Sequence, residues 1–302
     1  MTAAFIQVDD VHKSFDGRPV LNGMSFTVEE GAIVGLLGPN GCGKTTMIRL
    51  LNGVIEQNSG SMSVAGMNPL ADGDDIRRIS GIVTEGAGLY HDMSAVDNLK
   101  FFSKLYQVKD KSRVRELLEL FDLTEHANKP AGTFSTGMKK RLALAKALLH
   151  KPKLLFLDEP TNGLDPEGIR LVMKSLLELN ERDGTTIFLC SHVLHQIETV
   201  CSTYIFMDKG RTIVTGTRSM IENRYMKSVE LVVETGMLPA GDRYAGYPVR
   251  KEGLNRLRFS LPGKDAIPAL LRQILADNWV HSAEIVNRDL ESLYFEVRKE
   301  HA

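Results

Sequence analysis

Eight consecutive residues, Gly38-Pro39-Asn40-Gly41-Cys42-Gly43-Lys44-Thr45, fit the pattern G-x-x-x-x-G-K-[ST] in full. Glycines at this spacing let backbone N–H groups turn inward around a phosphate, and a helix starting there adds the positive end of its dipole. Lys44 is then expected to reach the β- and γ-phosphates of a nucleotide and the Thr45 hydroxyl to ligate Mg²⁺, with Thr46 next to it. A second stretch, Leu154-Leu155-Phe156-Leu157-Asp158-Glu159, is four apolar residues followed by two carboxylates. A buried strand ending in Asp158 delivers a carboxylate to the magnesium shell, and Glu159 is expected to face attacking water as general base. These groups predict a nucleotide and Mg²⁺ site. They do not choose among kinases, GTPases and motors.

Such chemistry needs elements that hold the groups in place. Residues 32–37 read as a buried strand and 45–52 as a helix, so the glycine-rich loop has the strand–loop–helix setting it requires. Residues 154–157 and 185–189 read as further buried strands, separated by a helix over 168–180. Residues 5–8 and 25–28 alternate like half-exposed strands around a turn at Asp16-Gly17. Residues 99–106, 113–121 and 136–149 have helical patterns. Residues 204–207 and 212–215 flank Asp208-Lys209-Gly210 as a hairpin. Beyond Gly216 the pattern changes: strands are expected at 229–233, 257–260 and 282–286, and helices at 265–277 and 290–298.

From residue 5 to residue 216 the chain resembles the ABC ATPases. The discriminating stretch is Phe134-Ser135-Thr136-Gly137-Met138, just before a helix and about twenty residues ahead of Asp158. It is similar to the family signature, usually Leu-Ser-Gly-Gly-Gln. Ser135 and the backbone at Gly137 would hold a γ-phosphate at a helix N-terminus. In the family that phosphate belongs to ATP on the opposite subunit. Gly163-Leu164-Asp165-Pro166 resembles the loop whose aspartate, here Asp165, links the two sites across a dimer. Ser191-His192 resembles the switch that contacts the γ-phosphate and positions water, and Phe15 stands where the family stacks an aromatic on adenine. Two departures stand out. Glu85 occupies the position of the family's usual glutamine, a ligand of Mg²⁺ or water, and the signature itself is altered. Both resemble variants among bacterial exporter ATPases of the drug, antibiotic and surface-polymer type. So does Asp289-Leu290-Glu291-Ser292-Leu293-Tyr294, which is similar to the closing helix of their appended domain.

Composition bounds the alternatives. The chain has 302 residues, 43% hydrophobic and 25% charged, with a formal net charge of −1. That is long enough for a core of roughly 200 residues plus a small domain. The near-neutral balance predicts no nucleic-acid partner. Lys139-Lys140-Arg141 reads as a solvated helix face. Cys42, Cys190 and Cys201 have no metal-ligand spacing and are expected to be reduced thiols. Residues 1–14 contain no signal-peptide pattern, and no apolar run reaches the roughly 18–20 residues of a spanning helix.

The expected fold is therefore an α/β P-loop core over 1–216, with a helical subdomain inserted near 85–149 and a small α+β accessory domain over 217–302. The expected activity is ATP hydrolysis with Mg²⁺. The resemblance implies two copies, or one copy and a related ATPase, closing around two ATP. It also implies a separate transmembrane permease, and so a place on the cytoplasmic face of the membrane. Leu89, Tyr90, Met93, Phe101, Phe102, Leu105 and Tyr106 supply apolar groups for a docking groove, although Leu99, Phe102 and Tyr106 also recur at core-facing helical spacing. A soluble ABC ATPase of nucleic-acid repair or translation would carry a tandem ATPase domain or a long coiled coil. A non-catalytic regulator would not need Lys44, Asp158, Glu159 and His192 together.

Overall fold

The computed structural model describes residues 4–84, 86 and 88–301. Strands β1 (Ala4–Phe15) and β2 (Arg18–Glu29) form a hairpin whose turn residues, Asp16 and Gly17, both have positive φ. β3 (Ile33–Leu37) is buried along its whole length and runs into the glycine-rich loop and α1 (Lys44–Leu51). β4 (Ser59–Val64), α2 (Gly73–Ile79) and β5 (Ser80–Val83) follow. Helices α3 (Ala95–Leu105), α4 (Arg113–Leu120) and α5 (Thr136–Ala147) stand between β5 and β6 (Leu154–Asp158). The chain continues through α6 (Pro166–Asp183), β7 (Thr186–Ser191), the short α7 (Leu194–Ile197) and the hairpin of β8 (Thr203–Asp208) and β9 (Arg211–Gly216).

These elements make two sheets. One is antiparallel with order β2-β1-β4; the other has order β5-β6-β7-β3-β8-β9 and is parallel except for β9. In the larger sheet Leu37 is level with Ser191, and Asp158 with Cys190. The C-terminal ends of β6, β7 and β3 therefore lie side by side, the edge at which parallel α/β sheets hold ligands. β3, β6 and β7 are apolar on both faces because both faces are covered. Phe26 of β2, Met47 and Leu50 of α1, Phe156 of β6 and Phe188 of β7 share one buried cluster. The Phe188 ring lies 5.9 Å from Phe26 and 5.8 Å from Phe156. The helix carrying Lys44 is thus fastened to both sheets. Truncating Phe188 to alanine would cost about 3–5 kcal/mol.

The chain divides into two compact units after Gly216. The second contains α8 (Arg218–Tyr225), β10 (Val229–Thr235), β11 (Arg243–Tyr244), β12 (Tyr247–Lys251), β13 (Arg256–Leu261), α9 (Ile267–Asp277), β14 (Val280–Ile285) and α10 (Leu290–Glu300). Its antiparallel sheet has order β11-β12-β13-β10-β14. Leu231, Val233, Leu257 and Phe259 meet Leu270 and Ile274 of α9 in a core of their own.

Candidate functional site

The phosphate loop starts where β3 leaves the sheet. Gly43 sits at φ 111° as the N-cap of α1, and a Cβ there would come within 2.6 Å of Leu21 Cδ2. Only glycine meets both conditions. No side chain caps the helix, so its first N–H groups remain for a ligand. Lys44 is buried, and its Nζ donates to the carbonyls of Gly38 at 2.8 Å and Pro39 at 3.3 Å. The ammonium also lies 3.7 Å from Glu159 Oε1. One residue on, Thr45 Oγ1 donates to Asp158 Oδ2 at 2.6 Å, joining the loop to the end of β6.

Glu159 has φ 49°, in the left-handed region, where its backbone turns sharply away from β6. Its N–H donates to the carbonyl of Cys190 at 3.0 Å. Its carboxylate meets His192 twice, with Nδ1 at 2.8 Å from Oε1 and the backbone N–H donating to Oε2 at 3.4 Å. Lys44, Thr45, Thr46, Asp158, Glu159 and His192 share one cleft of about 350 Å³ with Asn40, Gly41 and Gly43. Val20 of β2 and Asn162 complete its lining. Sequence reasoning did not name these two. Val20 is a single apolar residue in a strand, and only the close fit of Gly43 against Val20 and Leu21 reveals it. Burial raises the Cys42 thiol above its ordinary pKa, against the pull of Lys44, and raises Cys190 further, so both are thiols at neutral pH.

The other site residues lie elsewhere. Ser135 is the N-cap of α5, its Oγ accepting from the Met138 N–H at 3.2 Å. Asp165 caps α6, its Oδ1 accepting from the Gly168 N–H at 2.8 Å. Ser135, Thr136, Gly137, Gly163, Leu164 and Asp165 line a groove of about 890 Å³ that shares no lining residue with the phosphate cleft. Phe15 ends β1 with its ring exposed and the Lys13 ammonium 4.9 Å from its centroid. It does not line the phosphate cleft. Glu85 falls outside the described residues.

The basic run after the signature is not the solvated face that its composition suggested. Lys140 is 5% exposed, and Arg141 donates to the carbonyl of Phe121 at 3.0 Å. α5 is buried on most of its circumference, so three consecutive residues cannot all reach water.

α3 presents a third feature. Buried Asn98 accepts from the Tyr90 N–H at 2.8 Å and donates to the carbonyls of Tyr90, Met93 and Ser94. This clamps the segment before α3. Tyr90 then packs edge-on against Phe101 at 5.0 Å and beside Phe102 at 5.9 Å. Leu99 is fully buried, yet Tyr90, Phe101, Leu105 and Tyr106 are 49%, 42%, 63% and 40% exposed. They form an apolar surface on the outside of the helical region.

Hard oxygen donors, Thr45 Oγ1 and Asp158 Oδ2, beside a lysine-bearing phosphate loop fit Mg²⁺ shared with a nucleotide. Among the described residues no cluster of His, Cys, Asp and Glu would cage a metal without such a ligand. Fold and site together define a P-loop nucleotide hydrolase. The ABC transporter family model matches residues 21–162. The ABC transporter ATP-binding protein YdbJ of Bacillus subtilis (strain 168) is 37% identical over 210 residues, 70% of this chain and 68% of its own. The bacitracin transport ATP-binding protein BcrA of Bacillus licheniformis is 36% identical over 228 residues, 76% of this chain and 74% of its own. A solved ATP-binding subunit of an ABC transporter matches with a TM-score of 0.67 and 30% identity, over 74% of this chain and 93% of the other. The chain belongs to the ABC transporter family as one of its ATP-binding proteins, and it is an ATPase.

Proposed function

We propose that this protein is the ATP-hydrolysing motor of a membrane exporter, and that two copies sandwich two ATP. One observation carries the sandwich: the phosphate cleft and the groove at Ser135–Gly137 are separate cavities within one chain. A γ-phosphate held by Lys44 meets a helix N-terminus of the signature type only if a second chain supplies it. The closed pair drives a separate permease because ATP binds the closed state better than the open one. No helix among the described residues is long and apolar enough to cross a membrane, which suits a subunit docked on its cytoplasmic face. The exporter reading follows relatives such as the Nod factor export ATP-binding protein I of Burkholderia thailandensis.

Lys44 neutralises the β- and γ-phosphates, and Phe15 stacks on the adenine. Thr45, Asp158 and Glu85 would hold Mg²⁺, which supplies charge neutralisation on the phosphates when bound. Glu159 takes a proton from water while the water oxygen bonds to the γ-phosphorus and the bond to ADP breaks. His192 fixes the Glu159 carboxylate. Asp165 sits beside Gly137 in the groove and links the sites across the pair. Residues 217–302 act as a regulatory or bracing domain. The exposed surface at Tyr90 and Phe101 receives a short permease helix.

Glu159→Gln tests the sandwich, because the amide cannot accept the proton. The variant should bind ATP, fail to hydrolyse it, and double in mass by light scattering when ATP is added. A monomer at saturating ATP contradicts the sandwich.

A further inference from the structure

Lys140 is the fifth residue of α5 and is 5% exposed. Its Nζ donates to the backbone carbonyl of Glu159 at 3.1 Å. Burying an ammonium is unfavourable unless hydrogen bonds replace its water, so this contact holds the side chain in one place. The carbonyl belongs to the residue whose carboxylate faces the cleft. At φ 49°, Glu159 has a backbone conformation that a non-glycine residue keeps only when its surroundings impose it. Cys190 accepts its N–H at 3.0 Å, His192 Nδ1 meets its carboxylate at 2.8 Å, and its carbonyl accepts from the Asn162 N–H at 3.3 Å and from Lys140 at 3.1 Å. The first two come from the end of β7, and Asn162 lies in the turn after Glu159. Lys140 is the contact that comes from α5.

The start of α5 touches the segment that follows Glu159. A Cβ on Gly163 would lie 2.9 Å from Thr136 Cγ2, and one on Gly137 would lie 3.2 Å from Leu164 Cδ2. A helix moves as a rigid rod, so any shift at Ser135–Gly137 is carried to Lys140 one turn on. We propose that Lys140 is a positioning residue for hydrolysis: it ties the Glu159 peptide to α5, so the carboxylate is aimed in one site when the same chain's helix N-terminus is seated in the other. This inference rests on the two-chain sandwich proposed above. The two ATP sites are then coupled through the interior of each chain, with the Lys140–Glu159 hydrogen bond as the link from α5.

The test compares Lys140→Met, which keeps chain length and loses the donor, with Lys140→Arg, which keeps a donor. Steady-state hydrolysis is measured against ATP concentration in the full-length protein, with ATP binding measured separately. Lys140→Met should lower kcat roughly tenfold to a hundredfold, the cost of misplacing a reacting group by about 1 Å. KM should move by less than about twofold, because the lost contact acts in the transition state rather than in binding. The Hill coefficient should fall toward one, and Lys140→Arg should recover most of the rate. In a Glu159→Gln background, whose backbone carbonyl is unchanged, Lys140→Met should still dimerise with ATP. Wild-type kcat and cooperativity in Lys140→Met overturn the proposal. Failure of Glu159→Gln alone to dimerise instead overturns the sandwich. If Lys140→Met does not fold, Lys140→Leu, which also lacks a donor, serves in its place: a fall in kcat at constant KM supports the assignment, and an unchanged kcat overturns it.

Discussion

The phosphate cleft and the signature groove are built from the same two devices, helix N-termini and short polar side chains, yet they differ in completeness. In the cleft Lys44 meets Gly38 and Glu159, Thr45 meets Asp158, and Glu159 meets His192. These contacts fix each group before any nucleotide arrives, which is the condition for electrostatic catalysis without reorganisation. In the groove, Ser135 and Asp165 only cap their own helices. A cap uses one or two of the free N–H groups at a helix end and leaves the rest for a ligand. Under the proposed sandwich, the cleft is an assembled half-site and the groove a complementary half that acts on another molecule. Chemistry and association are therefore separable by mutation.

The largest effect is expected on the assembled side. Lys44→Ala removes the buried cation from the phosphates and should lower ATP hydrolysis by about a hundredfold or more while leaving the fold intact. Circular dichroism and a phosphate-release assay check this. Hydrolysis at the wild-type rate would refute the cleft assignment.

A smaller effect, and on a different readout, is expected outside both half-sites. Tyr90→Asp places a charge in the exposed aromatic surface, beside Phe101 and Phe102. ATP hydrolysis by the isolated protein should stay within about twofold of wild type, since surface changes away from a site rarely exceed ±0.5 kcal/mol. Association with membranes that contain the permease should be lost. Unchanged association in a co-sedimentation assay would move the docking surface elsewhere.

The smallest effect lies beyond the far end of α5. His150 is partly buried, with Nε2 at 3.1 Å from the carbonyl of Ser80, while Nδ1 has no protein partner. Burial lowers its pKa from the ordinary 6.5, so the folded state favours the neutral ring. The unfolded chain takes up the proton first as pH falls. Stability from this group is therefore present above pH 6.5 and is lost as pH drops from 6.5 toward the depressed folded value. His150→Gln should flatten that part of the stability–pH curve, measured by urea unfolding. An equally steep acid loss in the variant would assign the effect to other groups.

Much of this was legible in the sequence because the assembled half-site is written in contiguous residues. Gly38–Thr45 and Leu154–Glu159 each contain the strand, the turn and the chemistry in one stretch. The all-apolar runs of β3 and β6 mark strands covered on both faces. β7 runs two residues further than its apolar pattern suggested, to Ser191, which sets His192 directly at the sheet edge. β4 was not visible. Its sequence, Ser-Gly-Ser-Met-Ser-Val, has little strand propensity and is held by pairing Met62 with Val8 and Val64 with Ile6. Lys140 was hidden for the opposite reason: a basic triplet looks solvated, and only the burial of Leu142, Ala143, Leu144 and Ala145 around the helix shows that it is not. Val20 and Asn162 join the cleft through tertiary contacts that no local pattern encodes.

The central claim, that each working site takes its lysine from one chain and its signature serine from another, is tested most directly by mixing two inactive variants. Lys44→Ala disables the cleft, and Ser135→Arg blocks the groove. A heterodimer of the two contains one site with both defects and one with neither. Each variant alone should be inactive, and the mixture should regain ATP hydrolysis in proportion to the heterodimer formed. A mixture that stays as inactive as its components would contradict the claim.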